Sequence, residues 1–579
     1  METSPKVIKI ERVDDIPLLL GQMKKMEIAS LLDTHFPTHG NWQGLSLGEM
    51  GIVWLSHILS EGDHRLNSVQ GWASARLGTL KFCLEADDLR ELDFSDDRLC
   101  QMLDYLGGDD AAWENYEREQ NATLLRVYDL TPRRVRIDST TAKSYVAVEP
   151  DGLFQLGHSK EHRPDLPQLK INQATLDPLG LPLTMTIVSG ERADDPLYVP
   201  EIRKVQNCLT EHGVLYVGDC KMAALPTRAY VAGSEDYYLC PLPAVQMPAS
   251  ELQELLIPVW TGQQTLTPVH RASQETPDES KHIADGFAYH VTLKVGDVQW
   301  QETRLVVHSL KHADAKQKAL DKRIEQAQQE IEELNQRGRG RKHLDLEQTQ
   351  AAVETILKKR EVTDLLNVQY EVQTQTTTKR AYGGKSAQDV TRVEVTVQTK
   401  RNDTAYEECV RTLGWRVFAS NDPELSLEEA VLAYREEYII ERGFNRLRGK
   451  TLGMTPLYLN STTRIKGLIR LLCIGLRVLC IVEFTVREAL RKKAEKLANI
   501  YAGNPKRCTA KPTTEMMLRA FTGINAVEVG FGESSWHSVT PLNAVQARIL
   551  DLLGLPATIY QGFNGQAESE ELALEISEP

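Results

Sequence analysis

Three acidic residues sit where a chain can do chemistry. Asp138 follows Arg134-Val-Arg-Ile137, where apolar and basic residues alternate with the period of a strand, and Asp219 follows the apolar run Val214 to Val217 and a glycine. Strand ends in α/β sheets commonly present reactive groups. Glu441 lies in a helical stretch opening at Ser426, in which Val431, Tyr434 and Tyr438 share its stripe by three- and four-residue steps. A carboxylate on such a face needs a cation, a donor or a metal. Together the three would form an all-oxygen site suited to Mg²⁺ or Mn²⁺. Singly, each also reads as a turn residue, an N-cap or a salt-bridge partner. His158 and His162 have the spacing of a zinc pair, but Gly157 and Arg163-Pro164 place them in a loop without a third ligand, so no zinc site is predicted.

The elements that must position these acids follow from the pattern. The first hundred or so residues read as helical, with Ser46 and Glu49 at capping-box spacing before Leu47 to Leu59, and Ser95 or Asp96 capping a second helix through Leu106. Strands are expected at Arg133 to Asp138, Ser144 to Val148 and Leu169 to Leu176, then a helix near Tyr198 to His212, a buried strand at Val214 to Val217 and a helix from about Met222. This is a mixed α/β sheet. Residues 240–420 interrupt it with β-rich pieces (Ala288 to Val295, Val368 to Val372, Val393 to Val397) and a helical hairpin near 312–360, whose apolar residues Leu320, Ile324, Ala327, Ile331 and Leu334 have four-three spacing and whose tip, 337–342, is basic. A strand at Trp415 to Ser420 precedes helices from Ser426 to about Ile500, broken once near Gly449 to Pro456. The expected segments are a helical domain at 1–125 for dimerisation or end binding, a catalytic domain at 126–239 and 421–500, the insertion at 240–420, and an extension at 501–579 with an acidic tail.

Length and charge bound the function. At 579 residues the chain exceeds a single core, and 41% hydrophobic with 26% charged residues excludes collagen-like, disordered and membrane-barrel classes. The start, METSPKVIKIERVDD, lacks the apolar core of a secretory signal, so the expected location is cytoplasmic. Gly467 to Phe484 is long and apolar, but Arg470 and Arg477 mark a buried helix rather than a membrane span. Nine cysteines without a C-x-x-C pair give neither a disulfide framework nor a zinc site, and Cys473 and Cys480 read as core thiols. Net charge is −14, yet Arg442 to Lys496 carries thirteen basic and three acidic residues, 13 − 3 = +10, leaving −24 elsewhere. A concentrated basic segment points to a polyanion partner, or else to a solvated helical face. Glu85 to Asp110, with ten acidic residues against Arg90 and Arg98, is assigned to protein contacts.

Four blocks carry a family resemblance: Ile137-Asp-Ser-Thr-Thr141, Gly157-His-Ser-Lys-Glu-His-Arg-Pro-Asp-Leu-Pro-Gln168, Val217-Gly-Asp-Cys-Lys-Met222 and Tyr434-Arg-Glu-Glu-Tyr-Ile-Ile-Glu-Arg-Gly-Phe444. In order and spacing they resemble the DDE transposases of bacterial insertion sequences, in the insertion-sequence-four superfamily, sixteen-thirty-four branch. The resemblance spans roughly residues 10 to 500.

It implies an RNase H-like sheet interrupted by a β-rich insertion between the second Asp and the Glu, with Asp138, Asp219 and Glu441 holding two Mg²⁺ (or Mn²⁺) ions. The implied activity is metal-dependent cleavage at the ends of an insertion sequence and strand transfer into target DNA. The implied partners are double-stranded DNA, both terminal inverted repeats and target, and a second copy of the chain in a synaptic complex at the nucleoid. The family's last motif is Tyr, two residues, Arg, three residues, Glu, six residues, Lys. Here those places hold Tyr434, Glu437, Glu441 and Arg448. Glu437 replaces a cation with an anion, and Arg435 or Arg442 is its substitute. DNA contacts are thus expected from Tyr434, Arg435, Arg442, Arg446, Arg448 and Lys450, and base stacking from Trp260 or Trp300. An RNase H-like nuclease that cuts without joining, and a catalytically inactive DNA-binding relic, remain open alternatives.

Overall fold

The computed structural model describes residues 7–160, 162–209, 211–272, 280–336, 344–379, 388–531 and 534–562. The fold is mixed α/β. The chain divides into one compact unit of Met1–Cys240, Lys294–Trp300 and Ala433–Pro579, and a second of Pro241–Leu293 and Gln301–Leu432.

In the first unit the central strand is β1 (Arg134–Lys143). It pairs antiparallel with β2 (Gln168–Leu176), which pairs antiparallel with β3 (Leu181–Ser189). On its other side β1 runs parallel to β4 (Leu215–Val217), and β4 runs parallel to β5 (Tyr237–Pro241). All nine residues of β2 are buried, as an interior strand covered on both faces requires. Two expectations are corrected here. β1 does not stop at Asp138, because Ser139 to Lys143 continue the ladder against Asn172 to Gln168, so the acid lies mid-strand. Ser144 to Val148 is not a strand; only Ser144 makes an isolated bridge, to Leu457. The third antiparallel strand is β3 instead.

Helices cover this sheet. Those that matter for the site are α1 (Asp110–Val127), α2 (Tyr198–Cys208), α4 (Tyr438–Arg448) and α5 (Thr462–Lys492), and α3 (Leu427–Arg435) begins in the second unit and ends in the first. α5 is buried on all sides along Gly467 to Glu483. It crosses the helix Asp96–Gly108 so closely that a Cβ on Gly107 would lie 1.8 Å from the Thr463 carbonyl oxygen, and one on Gly467 would lie 2.2 Å from that of Leu103. Arg470 and Arg477 point inward as expected, Arg477 to Glu117 and to the carbonyls of Pro182 and Leu183. No described helix is long and apolar enough to cross a membrane. Val7–Arg12, Asn525–Phe531 and Ser534–Val539 form a separate small sheet, which the sequence pattern did not announce. The nine cysteines are free thiols, with Cys473 and Cys480 buried as expected.

The helix from Ser426 is not continuous. α3 and α4 are separated by a turn at Glu436 and Glu437, so Val431, Tyr434, Tyr438 and Glu441 do not share one uninterrupted stripe. The cause is distant in sequence. The Arg136 guanidinium donates to the Ala433 carbonyl, which in an unbroken helix would accept from the Glu437 N–H.

The second unit holds the strands β6 (Thr267–Ala272), β7 (Ser280–Val295), β8 (Val298–Ser309) and β9 (Trp415–Ser420), with the ends of β7 and β8 facing their turn assigned to the first unit. β6 pairs antiparallel with β7, and β8 with β9. A second antiparallel pair joins Leu366–Lys379 to Gln388–Arg401. The expected helical hairpin is Leu310–Leu334 against Leu346–Arg360, packed through Leu320, Ile324, Ala327, Ile331, Val353 and Leu357. Its basic tip and the acidic tail from Gln566 lie outside the described residues.

Candidate active site

Period-two alternation puts Arg134, Arg136 and Asp138 on one face of β1. The two arginines fasten the turn between α3 and α4 to this face. Arg134 reaches Glu436 at 2.9 Å, and Arg136 pairs with Asp177 at 2.8 Å while bonding to Ala433. The turn therefore lies beside Asp138. Asp219 comes to the same place from the end of the adjacent parallel strand β4, since Val217 is in register with Arg136.

The result is a small cleft of about 20 Å³, with room for a water molecule or an ion. Asp138, Asp219 and Glu437 line it together with Arg136, Tyr434 and Ile440. Glu437 was expected to be a misplaced acid in a cation's position; here it faces the two aspartates. Glu441, the expected third acid, does not line the cleft. It lies one helical turn further on and is exposed, yet close enough that its charge bears on Glu437.

Electrostatics are unfavourable in this group. Burial, followed by the charges of Asp138, Glu441 and Asp219, holds the Glu437 carboxyl above its ordinary range. Burial also raises Asp138, with Asp219 adding to the effect, against the opposing influence of Lys160. The carboxylates turn to separate partners. Asp138 Oδ1 accepts from Lys160 Nζ at 3.1 Å and from the Ser139 N–H at 2.7 Å. Asp219 Oδ1 accepts from the Tyr198 hydroxyl of α2 at 2.7 Å and from the Lys221 N–H at 2.9 Å. Burial, with the two aspartates nearby, pushes the Tyr198 phenol far up and keeps it a donor.

The expected convergence to metal-bridging distance is therefore not met: among the described residues no three His, Cys, Asp or Glu side chains gather closely enough to hold a metal. Like charges repel, and each takes the nearest donor. By type, the acids lining the cleft, Asp138, Asp219 and Glu437, offer carboxylate oxygens, the ligands that suit Mg²⁺ or Mn²⁺. His162 lies in a bend with φ of 58°, within the loop expected for it.

The expected DNA-binding residues separate. Arg446 is 6% exposed and clamped between Glu483 at 2.5 Å and Glu515 at 2.8 Å, so it fastens helices and is not presented to a phosphate. Arg442 pairs with Glu483 at 2.9 Å with its side chain 35% exposed. Tyr434, Arg435 and Arg448 are half-buried, and Lys450 is exposed. Ten of the thirteen basic residues in 442–496 are in ion pairs within the first unit. The acidic stretch read as a surface for protein contacts is one of their partners: Asp104 takes Arg464, and Asp110 takes Lys466 and Arg470. The charge asymmetry is thus largely satisfied inside the chain. Of the two tryptophans expected to stack on a base, Trp300 is buried and donates to the Tyr238 hydroxyl at 2.9 Å, whereas Trp260 ends the helix Ala249–Trp260 and is 40% exposed.

No protein-family model matches the chain, and no curated protein matches it. Among solved structures it is similar to a piggyBac transposase synaptic complex with hairpin DNA, at 9% identity over 100% of this chain and 86% of that one, with a TM-score of 0.32. A likeness of that size carries no argument about this chain.

Proposed function

We propose that the chain is a DDE transposase of the insertion-sequence-four type, built on an RNase H-like sheet. The observation that carries the reading is the meeting of carboxylates from β1, the end of β4 and the start of α4 on one cleft, in a chain whose four motif blocks resemble that family. Asp138 and Asp219, with Glu441 or Glu437 as the third acid, would hold Mg²⁺ or Mn²⁺. Two such ions, when bound about 4 Å apart, activate water or a 3′-hydroxyl and stabilise the leaving oxygen of a phosphodiester. The chain's own part is placement. Arg134 and Arg136 hold the glutamate-bearing turn against β1, and Tyr198 orients Asp219. Lys450, exposed after α4, is a cation available to DNA phosphate, and Trp260 is the aromatic available to an unpaired base. The protein would act at the nucleoid as a homodimer bridging two transposon ends.

The test uses DNA carrying the inverted repeats that flank the gene. Asp138→Ala and Asp219→Ala should abolish cleavage and joining while leaving DNA binding in place. Glu441→Ala and Glu437→Ala, compared side by side, identify the third ligand by which one abolishes the chemistry. Cleavage without joining by the wild type would reassign the chain as a nuclease, and binding with neither would make it a DNA-binding relic.

A further inference from the structure

The loop joining β1 to β2 sends one side chain back onto Asp138, one of the residues lining the cleft. Lys160 Nζ lies 3.1 Å from Asp138 Oδ1 and also donates to the Ser139 carbonyl. The foot of the loop is fastened: Ser144 N–H donates to Pro167 O at 2.9 Å, Gln155 and Gln168 exchange backbone hydrogen bonds at 3.0 Å, and the Gln168 amide donates to His158 O at 2.8 Å. Around Lys160 the bonds are local turn bonds, from His162 N–H to Ser159 O at 3.3 Å and from Arg163 N–H to the Ser159 hydroxyl at 3.2 Å. The neighbouring ammonium, Lys170, contrasts with it. Lys170 is 6% exposed and fixed on Asp194 at 2.8 Å, with Asp194 also accepting from the Ser139 hydroxyl at 2.8 Å. Lys160 is 34% exposed on a flexible four-carbon stem.

We propose that Lys160 is a displaceable counter-ion: it holds Asp138 until a divalent cation arrives, yields the carboxylate to it, and then pairs with the DNA phosphate at the cleft. This rests on reading the carboxylates as a divalent-cation site. An ammonium and a divalent cation on one carboxylate repel each other and compete for its lone pairs, so each weakens the other's hold. Once released, the lysine stands on a loop fastened at its foot, beside the carboxylate to which the DNA phosphate would come. It is a positioning residue that guards the site and then holds the substrate.

The test uses the full chain without DNA, titrated with Mn²⁺ and followed by the electron paramagnetic resonance signal of the free ion. Lys160→Met should bind Mn²⁺ roughly two- to fivefold more tightly than wild type, the scale of one partly exposed ion pair removed, while Asp138→Asn should lose the site. With Ca²⁺ present, Lys160→Met should also lower the salt slope of binding to a mixed-sequence DNA duplex by roughly 0.9, and without a divalent ion it should leave the slope unchanged. Equal Mn²⁺ affinity in wild type and Lys160→Met, with binding still dependent on Asp138, overturns the counter-ion role but leaves the cation site standing. An unchanged slope in Ca²⁺ overturns the phosphate contact. No Asp138-dependent Mn²⁺ binding in either protein overturns the reading of the carboxylates themselves.

Discussion

Two groups of acids in the first unit are treated in opposite ways. Around Glu483, the guanidiniums of Arg442, Arg446 and Arg487 lie within 2.9 Å, and the buried Glu117 has Arg477 at 3.2 Å. At the cleft, Asp138 has only a partly exposed lysine, and Glu437 is raised by its own burial and by three neighbouring carboxylates. Acids that build the fold receive cations from α4 and α5. Acids at the cleft are left with negative charge to spare, an arrangement that costs stability and is of the kind that clusters at functional sites.

The contrast can be broken most severely at Arg477. Replacing it with Met takes the buried donor from Glu117, Gln120 and the Pro182 and Leu183 carbonyls at once, and denaturant unfolding should show a loss of about 3–5 kcal/mol. A loss below about 1 kcal/mol would mean that the pair is not structural.

A pH dependence sharpens the same point. Burial raises the Glu117 carboxyl from 4.5 to about 8 despite Arg477. A folded-state value above the unfolded one means that the folded protein binds the proton more tightly, so stability falls as pH rises from about 4.5 towards about 8. Glu117→Gln should lack this decline, and its denaturant midpoint relative to wild type should therefore improve across that window.

At the cleft the sign reverses. Burial and three neighbouring carboxylates disfavour the charge on Glu437, so Glu437→Gln should raise the denaturant midpoint; a fall would show that Glu437 is a structural partner instead. The smallest expected change is in DNA binding. Lys450→Gln should lower the salt slope by roughly 0.9, one phosphate contact, while Arg446→Met should leave the slope alone and lower the unfolding midpoint.

The parts legible in the sequence are those decided locally. The capping box at Ser46 and Glu49 forms as spaced, β2 and β4 lie where apolar runs put them, and the helical hairpin follows its four-three pattern. Asp138 and Asp219 were visible as acids attached to apolar strands. The break between α3 and α4 was not, because Arg136, 297 residues away, takes the carbonyl that an unbroken helix would use. Glu437 consequently read as a stray acid on a continuous helix. The +10 segment read as a surface for phosphate because its counter-charges, Asp104, Asp110 and Glu117, lie more than 350 residues earlier. Composition reports how much charge a segment carries, and only the fold says where it is spent.

The bond from Arg134 to Glu436 spans 302 residues, and the entire second unit is threaded between its two ends. On a ribosome adding about 5–20 residues per second, the first aspartate would emerge roughly 15 to 60 s before the glutamates that complete its cleft. During that interval the nascent chain carries one side of a carboxylate cleft, and a transcript cut short anywhere in between yields a product that lacks the other side.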